Sequence, residues 1–235
     1  MNDAFHVLQE YFAHSDDLSY AHGGPYKKTV MGQFVPSPLR HIRAALDYLV
    51  KIGVVNSSGL FLDAGCGDGR VVALTALIYK IPSIGVEYDI ELARQSKQHL
   101  SRLKQLGLMG APVEIIQGDF VQDLTYRKAD RKFEDFTIVY NYINNEQSIA
   151  EKVAAQSLKS TTFLLFGAFP VSEYVGLPLQ HNLELITSTK SGGDVLVKPR
   201  PLDQDHDIDP DSTYIQVYAK DDRSTWINAS KLAAP

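Results

Sequence analysis

The chain has 235 residues, 44% of them apolar and 22% charged, with a formal net charge of −5 and a single cysteine. A chain of this size buries about 70–75% of the surface its unfolded form exposes, so one complete core needs neither disulfide nor metal clip. The acidic balance disfavours nucleic acid as a partner, because phosphate binding draws on clustered Lys and Arg, and the lone Cys66 excludes an internal disulfide or a thiolate zinc cluster.

Residues 1–37 mix aromatic and polar side chains without a clear period, and the stretch from His22 to Tyr26 predicts a turn. Nothing there has the basic stretch and apolar run of a signal peptide. The longest apolar runs, such as Phe163 to Phe169, fall far short of the roughly 18–20 residues of a membrane span. A soluble, cytoplasmic protein is the expectation.

From Pro38 to Ile52, Leu39, Ile42, Leu46, Leu49 and Val50 recur at helical steps, with Ser37 placed to cap and Gly53 to terminate. Short β-like runs and helical stretches then alternate. Strands are predicted at Gly59 to Asp63, Ser83 to Glu87, Val113 to Gln117, Phe136 to Asn141 and Thr161 to Phe166. Helices are predicted at Val71 to Tyr79, from Asp89 to about Leu106, and at Glu146 to Ser157. This alternation implies right-handed crossovers and a parallel sheet covered on both faces. Asn182 to Ser188 and Thr213 to Ala219 read as an antiparallel pair joined by a long polar loop. The fold class is therefore α/β, a Rossmann-like doubly wound sheet, mostly parallel with an antiparallel carboxy-terminal pair. Residues 1–58 form a helical extension or cap and residues 59–235 the main domain.

The most informative stretch is Asp63-Ala64-Gly65-Cys66-Gly67-Asp68-Gly69, where a strand runs through three glycines into a helix. Glycine lets the backbone turn sharply and lets a ligand approach the main chain. The spacing departs from the G-x-G-x-x-G of dinucleotide sites. A carboxylate at Asp63 would repel pyrophosphate and suits a ligand with an amino group. Glu87 ends the second strand, where a carboxylate can hold both hydroxyls of a ribose, and Asp119 follows the third, within reach of an exocyclic adenine amine. Each alone reads as a cap or turn residue; together they converge on one crevice.

These three motifs resemble those of class I S-adenosylmethionine-dependent methyltransferases. The resemblance implies that Asp63 and Gly65 lie beside the methionine part of the cofactor, with Ser37, Ala64, Gly67 and Tyr88 also among the cofactor-binding residues. It also implies that Glu87 holds the ribose, and that Asp119 and Phe120 frame the adenine. Phe34-Val35-Pro36-Ser37-Pro38 ahead of a helix, together with the glycine loop and Arg70-Val71-Val72, resembles small seven-strand lysine methyltransferases. More distantly, the chain is similar to non-SET histone lysine methyltransferases, in which a strand ends in two asparagines and an aromatic. Here Val139-Tyr140-Asn141-Tyr142 matches at Asn141 and the aromatic.

Free lysine has a pKa of about 10.4, and an amine must be neutral to attack, so a desolvated aromatic slot with one carbonyl suits it. Asn141 can offer that carbonyl and Tyr140 and Tyr142 the walls, making Asn141 and Tyr142 the catalytic candidates, with sheet packing the competing reading of both tyrosines. The acceptor is then a protein lysine or another amine, with a small molecule, or a module that binds without transfer, as alternatives. The absence of Pro-Pro-Tyr after Asn141 lowers glutamine and base methylation. No metal ligand spacing is evident among the seven histidines, and the oligomeric state is not readable. The aspartates of 203–211 lack the glycine and glutamate of a calcium loop and read as a solvated loop able to attract a basic substrate. Cys66 reads as loop packing and the basic residues of 127–132 as a solvated surface.

Overall fold

The structure, a computed structural model, describes residues 4–20, 24, 26–167, 173–188, 193–202 and 212–220. The acidic loop 203–211 and most of the 22–26 turn lie outside them. In chain order α1 (Ala4–Tyr20) is followed by a hairpin of β1 (Lys27–Thr29) and β2 (Gly32–Phe34), then α2 (Leu39–Lys51). The alternating part holds β3 (Phe61–Ala64), α3 (Arg70–Leu74), β4 (Ser83–Glu87), α4 (Ile90–Gln105), β5 (Val113–Gln117), α5 (Asp123–Arg127), β6 (Ile138–Tyr142), α6 (Glu146–Gln156) and β7 (Thr162–Phe166). Three strands complete it: β8 (Leu179–Thr187), β9 (Val195–Arg200) and β10 (Thr213–Ala219).

One eight-stranded sheet runs β5-β4-β3-β6-β7-β10-β8-β9. The pairs among β3 to β7 are parallel, and those joining β7, β10, β8 and β9 are antiparallel. The expected α/β sheet is present, with a third antiparallel strand, β9, where a loop was predicted. Its Pro199 removes a backbone donor, which an edge strand tolerates.

Alternate residues of each strand feed two cores. On one face Phe61, Tyr140, Leu164 and Phe166 pack with α1, α2 and α3; on the other Leu62, Val139, Phe163 and Leu165 meet Tyr126, Phe136 and Ile149. Burial on both faces is why these strands read as continuous apolar runs. The unpredicted α1 inserts Phe5, Leu8 and Phe12 into the first core, so the amino-terminal segment shares it with the sheet.

Three local readings change. Ser37 does not cap α2: the N-cap is Pro38, without a side-chain bond. The helix predicted for Val71 to Tyr79 turns π-helical from Thr75, whose hydroxyl bonds the Val71 carbonyl at 2.8 Å and competes with the regular ladder. A five-residue helix, α5, follows β5 where none was predicted. Asp89 caps α4 as expected, accepting from Glu91 N at 3.0 Å and Leu92 N at 2.9 Å. No helix among the described residues is long and apolar enough to cross a membrane.

Candidate active site

The chain proceeds outward from β3 to β4 and β5, then returns to place β6 on the other side of β3. This reversal opens a crevice at the carboxyl ends of the strands, where ligands of open α/β sheets bind. A cavity of about 370 Å³ occupies it, within the size range of small-molecule sites. The glycine loop forms one wall. Gly65 N and Cys66 N both donate to Val86 O, at 2.9 and 3.0 Å, fixing the loop on β4. Gly67 takes a φ of +54°, and a Cβ there would overlap the Phe34 ring of the hairpin.

Glu87 ties this wall together. Its Oε2 accepts from Gly67 N and its Oε1 from Asp89 N, both at 2.8 Å. Burial raises its carboxyl above the ordinary range despite those bonds. Asp63, 2% exposed, is pushed well above it by burial first, then by the Glu87 and Asp68 carboxylates. No cation among the described residues offsets these influences. Arg70 is committed elsewhere: its Nη2 lies 2.6 Å from Asp68 Oδ2 and 2.7 Å from Asp16 Oδ1 of α1. Burial works against the Arg70 charge, but those two carboxylates outweigh it. An acidic floor lacking its own cation is suited to a ligand bringing an amino group.

The hairpin roofs the cavity through Thr29, Gly32 and Phe34. It is anchored on both sides, by Lys27 Nζ to Asp89 Oδ1 at 2.9 Å and by Asn145 Nδ2 to Met31 O at 3.5 Å. Sequence reasoning missed this roof. The available signal was the residue alternation around Gly32, which sits at a φ of +125°.

Of the expected site residues, Ser37, Asp63, Gly65, Glu87 and Tyr142 line the cavity. Tyr140 lines it too, because residues i and i+2 of a strand share a face. Ala64 turns its side chain to the opposite core, and Gly67 lies under Phe34. Asp119 Oδ1 accepts from Val121 N at 2.9 Å, and Phe120 packs in the second core beside Gly65; neither lines the cavity. Tyr88 is 45% exposed outside it. Asn141, fully buried, donates from Nδ2 to Ala64 O at 2.7 Å and to Asn144 O at 3.1 Å, while its Oδ1 accepts from Asn144 N at 3.2 Å. Its carbonyl is engaged in holding the turn after β6. Burial pushes the Cys66 thiol up, which suits packing rather than nucleophilic chemistry.

A family model described as histone methylation protein DOT1 matches residues 27–161. The chain belongs to this family. The DOT1 match takes in the hairpin roof, the glycine loop, Glu87, Asp119 and β6, and every residue that lines the cavity falls within it. A protein-lysine N-methyltransferase of Saccharolobus islandicus (strain REY15A) is 29% identical over 90 residues, 38% of this chain. That alignment spans about half of the relative, 51% of its length.

Among solved structures, an RNA methyltransferase from Salinibacter ruber with S-adenosyl-L-homocysteine shares 18% identity, covering 82% of this chain and 99% of that one, at a TM-score of 0.47. A tRNA methyltransferase from Aquifex aeolicus shares 15%, covering 84% and 73%, at 0.48. A mutant of MtNAS shares 13%, covering 77% and 61%, at 0.51. Likeness at this identity speaks to the fold alone. It nevertheless corrects one expectation: nucleic acid was disfavoured from net charge, yet RNA and tRNA methyltransferases stand among the chains of similar architecture. Net charge is a property of the whole surface and does not decide what one crevice on this fold accepts.

Proposed function

We propose that the chain transfers a methyl group from S-adenosylmethionine to an amine, in the first place a protein lysine side chain. One observation carries the reading: a cavity at the sheet's switch point whose floor, Asp63, is a buried carboxylate influenced only by burial and like charge. Membership of the DOT1 family and the similarity to a protein-lysine N-methyltransferase support it.

The residues fit the cofactor. Asp63 receives an amino group and Glu87, held by two backbone donors, faces a ribose. When bound, S-adenosylmethionine supplies an activated methyl whose leaving group needs no proton. The chain's own task is to orient the acceptor, exclude water and keep the amine neutral. Phe34 and Tyr142 supply aromatic walls for the acceptor, with Tyr140 beside Asp63, and desolvation between those walls lowers an amine's pKa. Burial raises both tyrosines, so the phenols stay protonated and add no charge. Asn141 acts as a positioning residue, fixing the Ile143–Asn145 turn through Asn144. We further propose a cytoplasmic setting, with residues 1–58 as the cap of a methyltransferase domain at 59–235.

The test is calorimetry of the full chain with S-adenosylhomocysteine, followed by methyl-labelled S-adenosylmethionine with peptide pools and cell extract. Micromolar binding and label on lysine Nζ are expected. Failure to bind overturns the cofactor assignment; label recovered only in soluble small molecules overturns the lysine assignment.

A further inference from the structure

Tyr140 is built into the cavity by its place on β6. It pairs in register with Asp63 across the parallel β6 and β3 strands, so the two side chains leave the same face side by side. Its ring is fixed by stacking on Phe61, with centroids 6.2 Å apart and planes at 24°. The residue is 2% exposed, and its hydroxyl makes no hydrogen bond. The Ser37 hydroxyl, also lining the cavity, lies close enough to influence the phenol without forming a well-shaped bond to it.

A buried hydroxyl without a partner is costly to leave unmade. A phenol beside a carboxylate has both a donor proton and an acceptor lone pair to offer. An α-amino acid group has the complementary pair, an ammonium and a carboxylate. Tyr142, two residues nearer the carboxyl end of β6 and only half-buried, lines the same cavity.

We infer that Tyr140 is a specificity-determining residue whose hydroxyl, together with Asp63, recognises the amino-acid end of the cofactor. This rests on the methyltransferase reading and adds a contact to it. The deepest part of the cavity thereby selects ligands carrying an α-amino acid over nucleosides that lack one. In the unliganded protein the unpaired hydroxyl costs folding free energy, which ligand binding recovers.

The experiment compares Tyr140→Phe with the wild-type full chain, using calorimetry against S-adenosylhomocysteine and against 5′-methylthioadenosine, which lacks the amino-acid end. The expected result is a Kd for S-adenosylhomocysteine raised about 5–10-fold, as for one buried hydrogen bond. The Kd for 5′-methylthioadenosine and the acceptor KM should stay unchanged, and the unliganded Tm should hold or rise, because the variant removes an unpaired buried hydroxyl. An equal loss for both ligands, or an unchanged Kd for S-adenosylhomocysteine, overturns the assignment. A raised acceptor KM with unchanged cofactor affinity also overturns it, by moving Tyr140 to the acceptor. If the wild type binds 5′-methylthioadenosine but not S-adenosylhomocysteine, Tyr140 selection fails; if it binds neither, the cofactor reading itself fails.

Discussion

Replacing Glu87 with glutamine tests the cavity wall with almost no change in shape. Both carboxylate oxygens accept from backbone N–H groups at 2.8 Å, those of Gly67 and Asp89. An amide keeps one acceptor oxygen and turns an NH2 toward the other donor. Hydrogen bonds to a charged group contribute about 1.5–3 kcal/mol each, and the variant loses one and weakens the other. Relief of a buried charge offsets part of this, since burial raises the Glu87 carboxyl. The expected net loss of stability is about 1–2 kcal/mol, which lowers Tm by about 2–8 °C in a chain of this size. Affinity for S-adenosylhomocysteine should fall by about 10–100-fold, from loss of a charged acceptor. Thermal and urea unfolding measure the first effect and calorimetry the second.

The pH dependence has a definite sign. An acid whose folded pKa is raised binds protons more readily when folded. Its unfavourable contribution is absent below the unfolded value near 4.5 and develops as pH rises through the folded pKa. Wild type therefore gains on Glu87→Gln as pH falls from 7 toward 5. A variant as stable and as tight-binding as wild type would refute the clamp; a gap that shrinks on acidification would refute burial as the dominant influence.

Gly67→Ala forces a side chain into a φ of +54° and into the Phe34 ring. Hydrogen exchange across the 27–34 hairpin should accelerate, and pairing it with Phe34→Ala should recover part of the loss in a double-mutant cycle; unchanged exchange counts against the hairpin resting on the loop. Asp16→Asn removes the charge that Arg70 meets at 2.7 Å while Asp68 still neutralises the guanidinium. A loss of about 1–2 kcal/mol, for one partly buried pair, is expected with faster exchange in α1, and equal protection of α1 in both proteins would contradict it.

The strands β3 to β7 and the glycine loop were legible because their signals are local. A strand covered on both faces is a short apolar run, and a loop that must turn sharply and admit a ligand needs glycine. The missed elements carry weak local signals. In α1 the buried face amounts to Phe5, Leu8 and Phe12 among polar residues, and the hairpin strands have three residues each. In β9 Pro199 argues against a strand until the edge position is known.

The site divides the same way. The sequence determined which residues bring chemistry: Asp63, Glu87 and the glycines between them, at strand ends that the alternating pattern must gather at one edge. Which of them face one another was decided by tertiary structure. Asn141 spends its amide on Ala64, 77 positions away, and Arg70 is shared between Asp68 and Asp16. The Tyr140 hydroxyl is left unbonded beside Asp63 because the strand order, not their separation in the chain, makes them neighbours. Local spacing fixes which side of a strand a residue occupies; only the packing of distant segments fixes what it meets there.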